Sequence, residues 1–211
     1  MNLTLYYAPV ACSLVPYVTL TEAGADFDVK VISLAKKEQM NSEFAAINPK
    51  RKVPCLVVDG QPLTENVAIQ VWIAWQFPAT RLLPENNWER VHAISHLSWC
   101  ASGFHPHMTR IFKPTAFCSV ADTENNVREI ATDKLMENFH MANDVLANRE
   151  FFFDHFTAAD AYFFWCYRRS TLFDLDMSSV PHCQAHFENM LTRDSVKRVL
   201  AFEKEVQAPS A

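Results

Sequence analysis

The sequence predicts an α/β domain followed by an all-α domain, and three observations carry that reading. Hydrophobic spacing switches repeatedly between a period of two and a helical period before residue 78. After Pro78 the period-two segments stop. Between the regimes, "PATRLLPENNWER" has two prolines and a polar cluster, the composition of a connector. The expected organisation is a first domain over residues 1–77, a linker over 78–87 and a helical domain over 88–211.

In chain order, "LTLYYA" is a short β-rich run, and "SLVPYVTLTEAG" is a helix closing on Gly24. "FDVKVISL" alternates as a half-buried strand does, and "NSEFAAINP" is a short helical turn. "VPCLVVDG" is a strand ending in an Asp-Gly turn, and "QPLTENVAIQVWIAWQF" returns to helical spacing. In the second regime helices are expected over 88–109, 122–148, 158–172 and 181–191, with a final basic segment over 196–206.

Composition excludes several functions. The 211 residues are 49% hydrophobic and 20% charged, enough to build a packed core. A net charge of −5 gives no basic footprint for sequence-independent nucleic-acid binding. No apolar run reaches the roughly 20 residues that span a bilayer, so no membrane partner is expected. "MNLTLYYAP" lacks a basic region followed by an apolar one, so a cytoplasmic location is expected. The six cysteines show no C-x-x-C pair and read as free thiols. Three glycines cannot build either phosphate-cradling fingerprint. "HPH" at 105–107 invites a metal, but alternating histidines diverge on a helix and no carboxylate or cysteine lies close by, so no metal site is expected.

Chemistry concentrates at three places in the first domain. Cys12 and Ser13 stand where the first strand hands over to the first helix. Free N–H groups and the helix dipole there would stabilise a thiolate, the protein's or a ligand's; capping or packing is the other reading, and the residues leave both open. In "KVPCLVVDG" a proline precedes a strand, the Val53-Pro54 bond can be cis, and the Val53 backbone can pair with an extended peptide ligand. In "LTENVAI", Thr64, Glu65 and Asn66 open a helix, where a hydroxyl or amide can cap and Glu65 can capture an amine or simply complement the dipole.

Together "YYAPVACSLVPYVTLTEAG", "FAAINPKRKVPCLVVDG", "LTENVAIQVWIA" and "FTAADAYFF" resemble the bacterial cytosolic glutathione transferases, most closely the beta class. The resemblance covers nearly the whole chain. It implies a thioredoxin-like N-terminal domain, an all-helical C-terminal domain, glutathione as co-substrate and a homodimer in detoxification. Carried over residue by residue, Val53 matches the position whose backbone pairs with the cysteinyl part of glutathione, ahead of a cis-proline at Pro54. Glu65 and Asn66 match the grip on the γ-glutamyl end, and Lys37 a basic residue near the glycyl carboxylate. Cys12 and Ser13 would face the glutathione sulfur, and His105 matches a histidine leaning into the same site. Thr157 and Asp160 match a structural capping box, worth about 0.5–2 kcal/mol.

Two departures from the pattern stand out. Pro106 follows His105 where lysine is usual, so a cation is missing unless His107 or Arg110 replaces it, and "FFFDHFTAADAY" lacks the usual glycine. The implied reaction is attack by the glutathione thiolate on a hydrophobic electrophile, with Phe104, Phe112, Phe117, Phe164 and Trp165 as lining or core. Thiol-disulfide exchange through Cys12 and non-catalytic ligand binding are the alternatives. Trp72, Ile73 and the 88–99 region are the expected dimer surface.

Overall fold

The computed structural model describes residues 1–208, so the last three residues of the expected 88–211 span lie outside the described residues. Strands β1 (Leu3–Tyr7), β2 (Asp28–Val31), β3 (Cys55–Val58) and β4 (Gln61–Thr64) form one sheet in the order β2-β1-β3-β4. β1 pairs parallel to β2, and β3 pairs antiparallel to both β1 and β4. Helices α1 (Leu14–Glu22), α2 (Ser42–Ile47) and α3 (Asn66–Gln76) complete the α/β part. The changing periodicity implied the α/β start, and the resemblance implied this thioredoxin-like arrangement.

The expectation missed β4, which was read as the start of a helix. Asp59 and Gly60 both take positive φ, 47° and 85°, and make the tight turn that an Asp-Gly pair encodes. Val58 then faces Gln61, and the ladder runs to Cys55 opposite Thr64. Pro62 hid the strand, but β4 is a sheet edge, where a missing N–H costs no ladder bond.

Packing explains why α1 is apolar on every side. Residues from Leu14 to Leu20 are all buried. Tyr17, on α1, stacks on Phe202 at 5.4 Å and meets Tyr7 edge-on at 5.7 Å. Phe202 belongs to α9 (Asp194–Gln207), which packs on α1. Glu22 clasps Arg193 at the start of α9 through two bonds of 3.0 and 2.8 Å. The compact units are therefore Met1–Leu83 with the segment from Leu191 onward, and Pro84–Met190. The expected division placed the C-terminal helix with the helical domain; the α1–α9 contacts group it with the sheet instead. Residues 78–87 are not a bare linker either, because Leu82 and Leu83 are buried.

The second unit holds α4 (Asn87–Trp99), α5 (His105–Phe112), α6 (Glu124–Val145), α7 (Ala158–Ser170) and α8 (Pro181–Thr192), the last running two residues past its boundary. The single helix expected over 88–109 is broken by a π-helical turn at Cys100–Phe104. Pro106 is the cause: it removes a helical N–H and crowds the carbonyl one turn back, so α5 starts afresh with the proline in its first turn. Gly103 is required in that turn, because a Cβ there would lie 2.6 Å from the Trp99 ring and 2.8 Å from Asn138 Oδ1. α7 is buried along nearly its whole length and forms the centre of this unit.

Burial also decides the chemistry of three thiols. It pushes Cys12 and Cys183 up to about 12 and Cys55 up to about 11. The folded chain thus keeps three protons that the unfolded chain releases above a pH of about 8.5. Stability is expected to be complete below that pH and to fall as pH rises through 9 towards 11, by up to about 1.4 kcal/mol per pH unit per thiol. Urea midpoints between pH 8 and 11 measure this, and Cys183→Ala should flatten the decline; equal slopes would refute it.

Candidate functional site

The segment joining β1 to α1 is the centre of the site. Ser13 sits at the helix start but caps nothing: its Oγ accepts the Ala8 N–H at 3.0 Å and donates to the Ala8 carbonyl at 3.1 Å. It closes the 8–13 loop on itself, which displaces the capping reading. Cys12 is buried, and its Sγ donates to the Val53 carbonyl at 3.6 Å. The helix start was expected to favour a thiolate here. Burial outweighs it, and with the thiol pushed up to about 12 the resting group is a protonated donor.

Val53 reaches this corner from the other side, and the Val53-Pro54 peptide bond is cis, as the resemblance implied. Pro54 is buried and leads directly into β3. A third element arrives with α3. Asn66, nearly buried, donates from Nδ2 to the Cys12 carbonyl at 2.9 Å. Gln70, one turn on, donates to Asn66 Oδ1 at 3.2 Å and fixes which way the Asn66 amide faces. The side chain that the resemblance places at the γ-glutamyl end also ties α3 to the thiol corner.

Glu65 is the exposed member. Its backbone takes φ 70°, ψ 120°, a conformation costing about 1–3 kcal/mol in a non-glycine residue, and it makes no side-chain cap. Its carboxylate pairs with Lys50, both side chains more than half exposed. Such a pair is worth about 0–1 kcal/mol and yields readily to another cation. Lys37 lies in an exposed turn at φ 57°, just ahead of the short 3-10 helix Glu38–Met40.

Cys12, Ser13, Val53, Pro54, Glu65 and Asn66 thus stand in one unit. Lys50, Gln70, Tyr7 and the buried Glu203 of α9, which accepts the Tyr7 hydroxyl and the Val10 N–H, were missed. Only folding gives them their partners, and no spacing in the sequence announces them.

The other expected residues lie in the helical unit and are described there. His105 opens α5, half-buried, with its ring 4.7 Å from that of Trp165. Desolvation first, then Arg110 and Lys134, push the His107 imidazole below its ordinary pKa and so favour its neutral form. Arg110 lies over the Phe117 ring at 4.9 Å. Phe104 and Phe164 are fully buried core, whereas Phe112 and Phe117 are exposed. Thr157 and Asp160 form the expected capping box at the start of α7.

Asp160 does more than cap. Thr157 donates to its Oδ2 from both N–H and hydroxyl at 2.8 Å, the Phe152 N–H donates to Oδ1 at 2.9 Å, and His186 Nε2 lies 3.1 Å from the same oxygen. Among the described residues no group of three or more His, Cys, Asp or Glu could hold a metal, and no helix is long and apolar enough to cross a membrane.

A thioredoxin-like sheet with a cis-proline facing a cysteine, in a chain that continues into helices, defines the class. Residues 1–75 match the family described as glutathione S-transferase, N-terminal domain. The chain is 33% identical over 203 residues to the glutathione S-transferase GstA of Escherichia coli O157:H7, covering 94% of this chain and 98% of that one. Among solved structures, the beta-class glutathione S-transferase of Sphingomonas chungbukensis superposes with a TM-score of 0.83 at 33% identity, over 95% of this chain and 98% of that one. A sphingomonad glutathione S-transferase solved with glutathione gives 0.83 at 31% identity, with the same coverage.

The chain belongs to the glutathione S-transferase family. It is an enzyme of that kind, with glutathione as co-substrate and bacterial beta-class enzymes among its structural relatives.

Proposed function

We propose that glutathione lies along the Val53 end of β3, with its γ-glutamyl amine at Glu65 and its sulfur at the Cys12–Ser13 corner, and that its thiolate attacks a hydrophobic electrophile. The Asn66–Cys12 bond at 2.9 Å is the observation that carries this. It joins the residue next to the exposed carboxylate directly to the residue carrying the thiol, so one rigid unit presents both. Free glutathione is only a few per cent thiolate at pH 7, and the site has to favour the anion. A protonated Cys12 thiol can donate to that anion, as can backbone N–H groups at the start of α1. The resemblance adds His105 on the helical unit and Lys37 near the glycyl end.

In this reading Cys12 is a donor rather than the nucleophile. Removing one hydrogen bond to a charged group costs about 1.5–3 kcal/mol. Cys12→Ala should therefore lower kcat/KM for an aromatic halide about tenfold or somewhat more, while glutathione binding by isothermal titration persists. Complete loss of conjugation, with a Cys12–glutathione disulfide seen by mass spectrometry after oxidised glutathione, would instead make Cys12 the attacking group.

The homodimer and the cytoplasmic location follow the family. Ile73 is fully buried and contributes nothing to a partner surface; Trp75 and Trp88, about 67% and 72% exposed, are the aromatics that a partner would cover. Light scattering at micromolar concentration should give twice the chain mass.

A further inference from the structure

The 8–13 loop begins with a turn that its sequence does not favour. The Ala11 N–H donates to the Ala8 carbonyl at 3.2 Å, closing a four-residue turn with Pro9 second and Val10 third. Val10 takes φ 65°. Positive φ in the third position after proline is where glycine is usual. Among the described residues nine non-glycines have positive φ, and Val10 is the only β-branched one, the side-chain type least suited to it.

The partner that holds this turn comes from the far end of the chain. The Val10 N–H donates to Glu203 Oε1 at 2.8 Å, and the same oxygen accepts the Tyr7 hydroxyl. Glu203 lies on α9 and is 2% exposed. Tyr7 ends β1 and is wedged against Tyr17 and Phe202. Glu203 therefore joins the last residue of β1 to the strained residue of the turn. Ser13 closes the same loop from its other end through Ala8.

We propose that Glu203 is a positioning residue for the reaction: through the Val10 N–H it holds the turn in the strained conformation that places Cys12 and Ser13 at the glutathione sulfur. This rests on the reading of the site given above. It predicts a specific interdependence, because a residue with no penalty at positive φ removes the need for the clamp.

The test measures conjugation of an aromatic halide, with kcat and glutathione KM separated, at a temperature where urea unfolding shows each variant folded. Glu203→Ala should lower kcat at least tenfold while glutathione KM changes less than threefold, since Glu65 and Val53 lie on other elements. Glu203→Gln should stay within threefold of the parent, because its carbonyl oxygen can still accept both donors. Combining Val10→Gly with Glu203→Ala should restore kcat to within threefold of Val10→Gly alone.

Unchanged kcat in folded Glu203→Ala, or a double variant as impaired as Glu203→Ala, would overturn the proposal. If Glu203→Ala does not fold, Glu203→Met keeps most of the volume without the acceptor and takes its place in both arms, with the same outcomes. A parent protein that neither binds glutathione nor conjugates would sink the site reading and this proposal together; an active parent with an indifferent Glu203 sinks only the proposal.

Discussion

Asp160→Ala is expected to unfold in urea with a stability about 3–5 kcal/mol below the parent, a far larger loss than a capping pair alone explains. A helix cap is worth about 0.5–2 kcal/mol, and that is what Thr157→Ala should cost. Asp160 is fully buried and accepts from the Thr157 N–H and hydroxyl and from the Phe152 N–H, with His186 against it. Truncation leaves two buried backbone donors and a buried imidazole without their acceptor. Each such orphan costs about 1–3 kcal/mol, so even imperfect relaxation leaves a large sum. For a chain of this size the thermal midpoint should drop by roughly 10 °C or more. Asp160→Asn should fall nearly as far, because its amide nitrogen must face donors that one carboxylate oxygen now accepts. A loss no greater than that of Thr157→Ala would show that the Phe152 and His186 contacts contribute nothing.

Glu65→Ala is expected to lower kcat/KM for glutathione about 10–100-fold, the equivalent of one charge-assisted hydrogen bond of about 1.5–3 kcal/mol. Stability should change by no more than about 1 kcal/mol, since the carboxylate is exposed and its partner Lys50 is too. Lys50→Ala separates the two functions of that carboxylate. In the proposed site Lys50 would compete with the glutathione amine for Glu65, so its removal should leave kcat/KM within about threefold of the parent and not reproduce the Glu65→Ala loss. If both variants lost activity equally, the ion pair itself would be the functional unit and the assignment of Glu65 to the amine would fail.

Most of the fold was legible because it is written in local pattern. The alternation of Asp28–Val31, the Asp-Gly turn after β3 and the spacing of α3, α6 and α7 need no tertiary partner to be read. Two elements differ from the expected helices because of a proline's context. Pro62 is tolerated in β4 because that strand is a sheet edge, and Pro106, inside the helix expected over 88–109, breaks it at the π turn Cys100–Phe104. The candidate site was legible as a set of residues matched through the family resemblance. Their roles were not, because a hydrogen bond depends on where a side chain points and what else is within reach. Ser13 bonds the Ala8 backbone rather than capping α1, and Asn66 holds the Cys12 carbonyl.

The sequence by itself therefore determined the two regimes, the α/β start and the helical remainder, and its family resemblance singled out the trio of Cys12, Val53-Pro54 and Glu65-Asn66 as the proposed glutathione corner. Only the tertiary structure decided the charge state of Cys12, since burial against the Val53 carbonyl overrides the helix start that would otherwise favour a thiolate. It alone also brought Glu203 to Val10 across 193 positions. Local propensity reports what each segment prefers, whereas desolvation and long-range hydrogen bonds exist only once segments distant in sequence exclude water from one another.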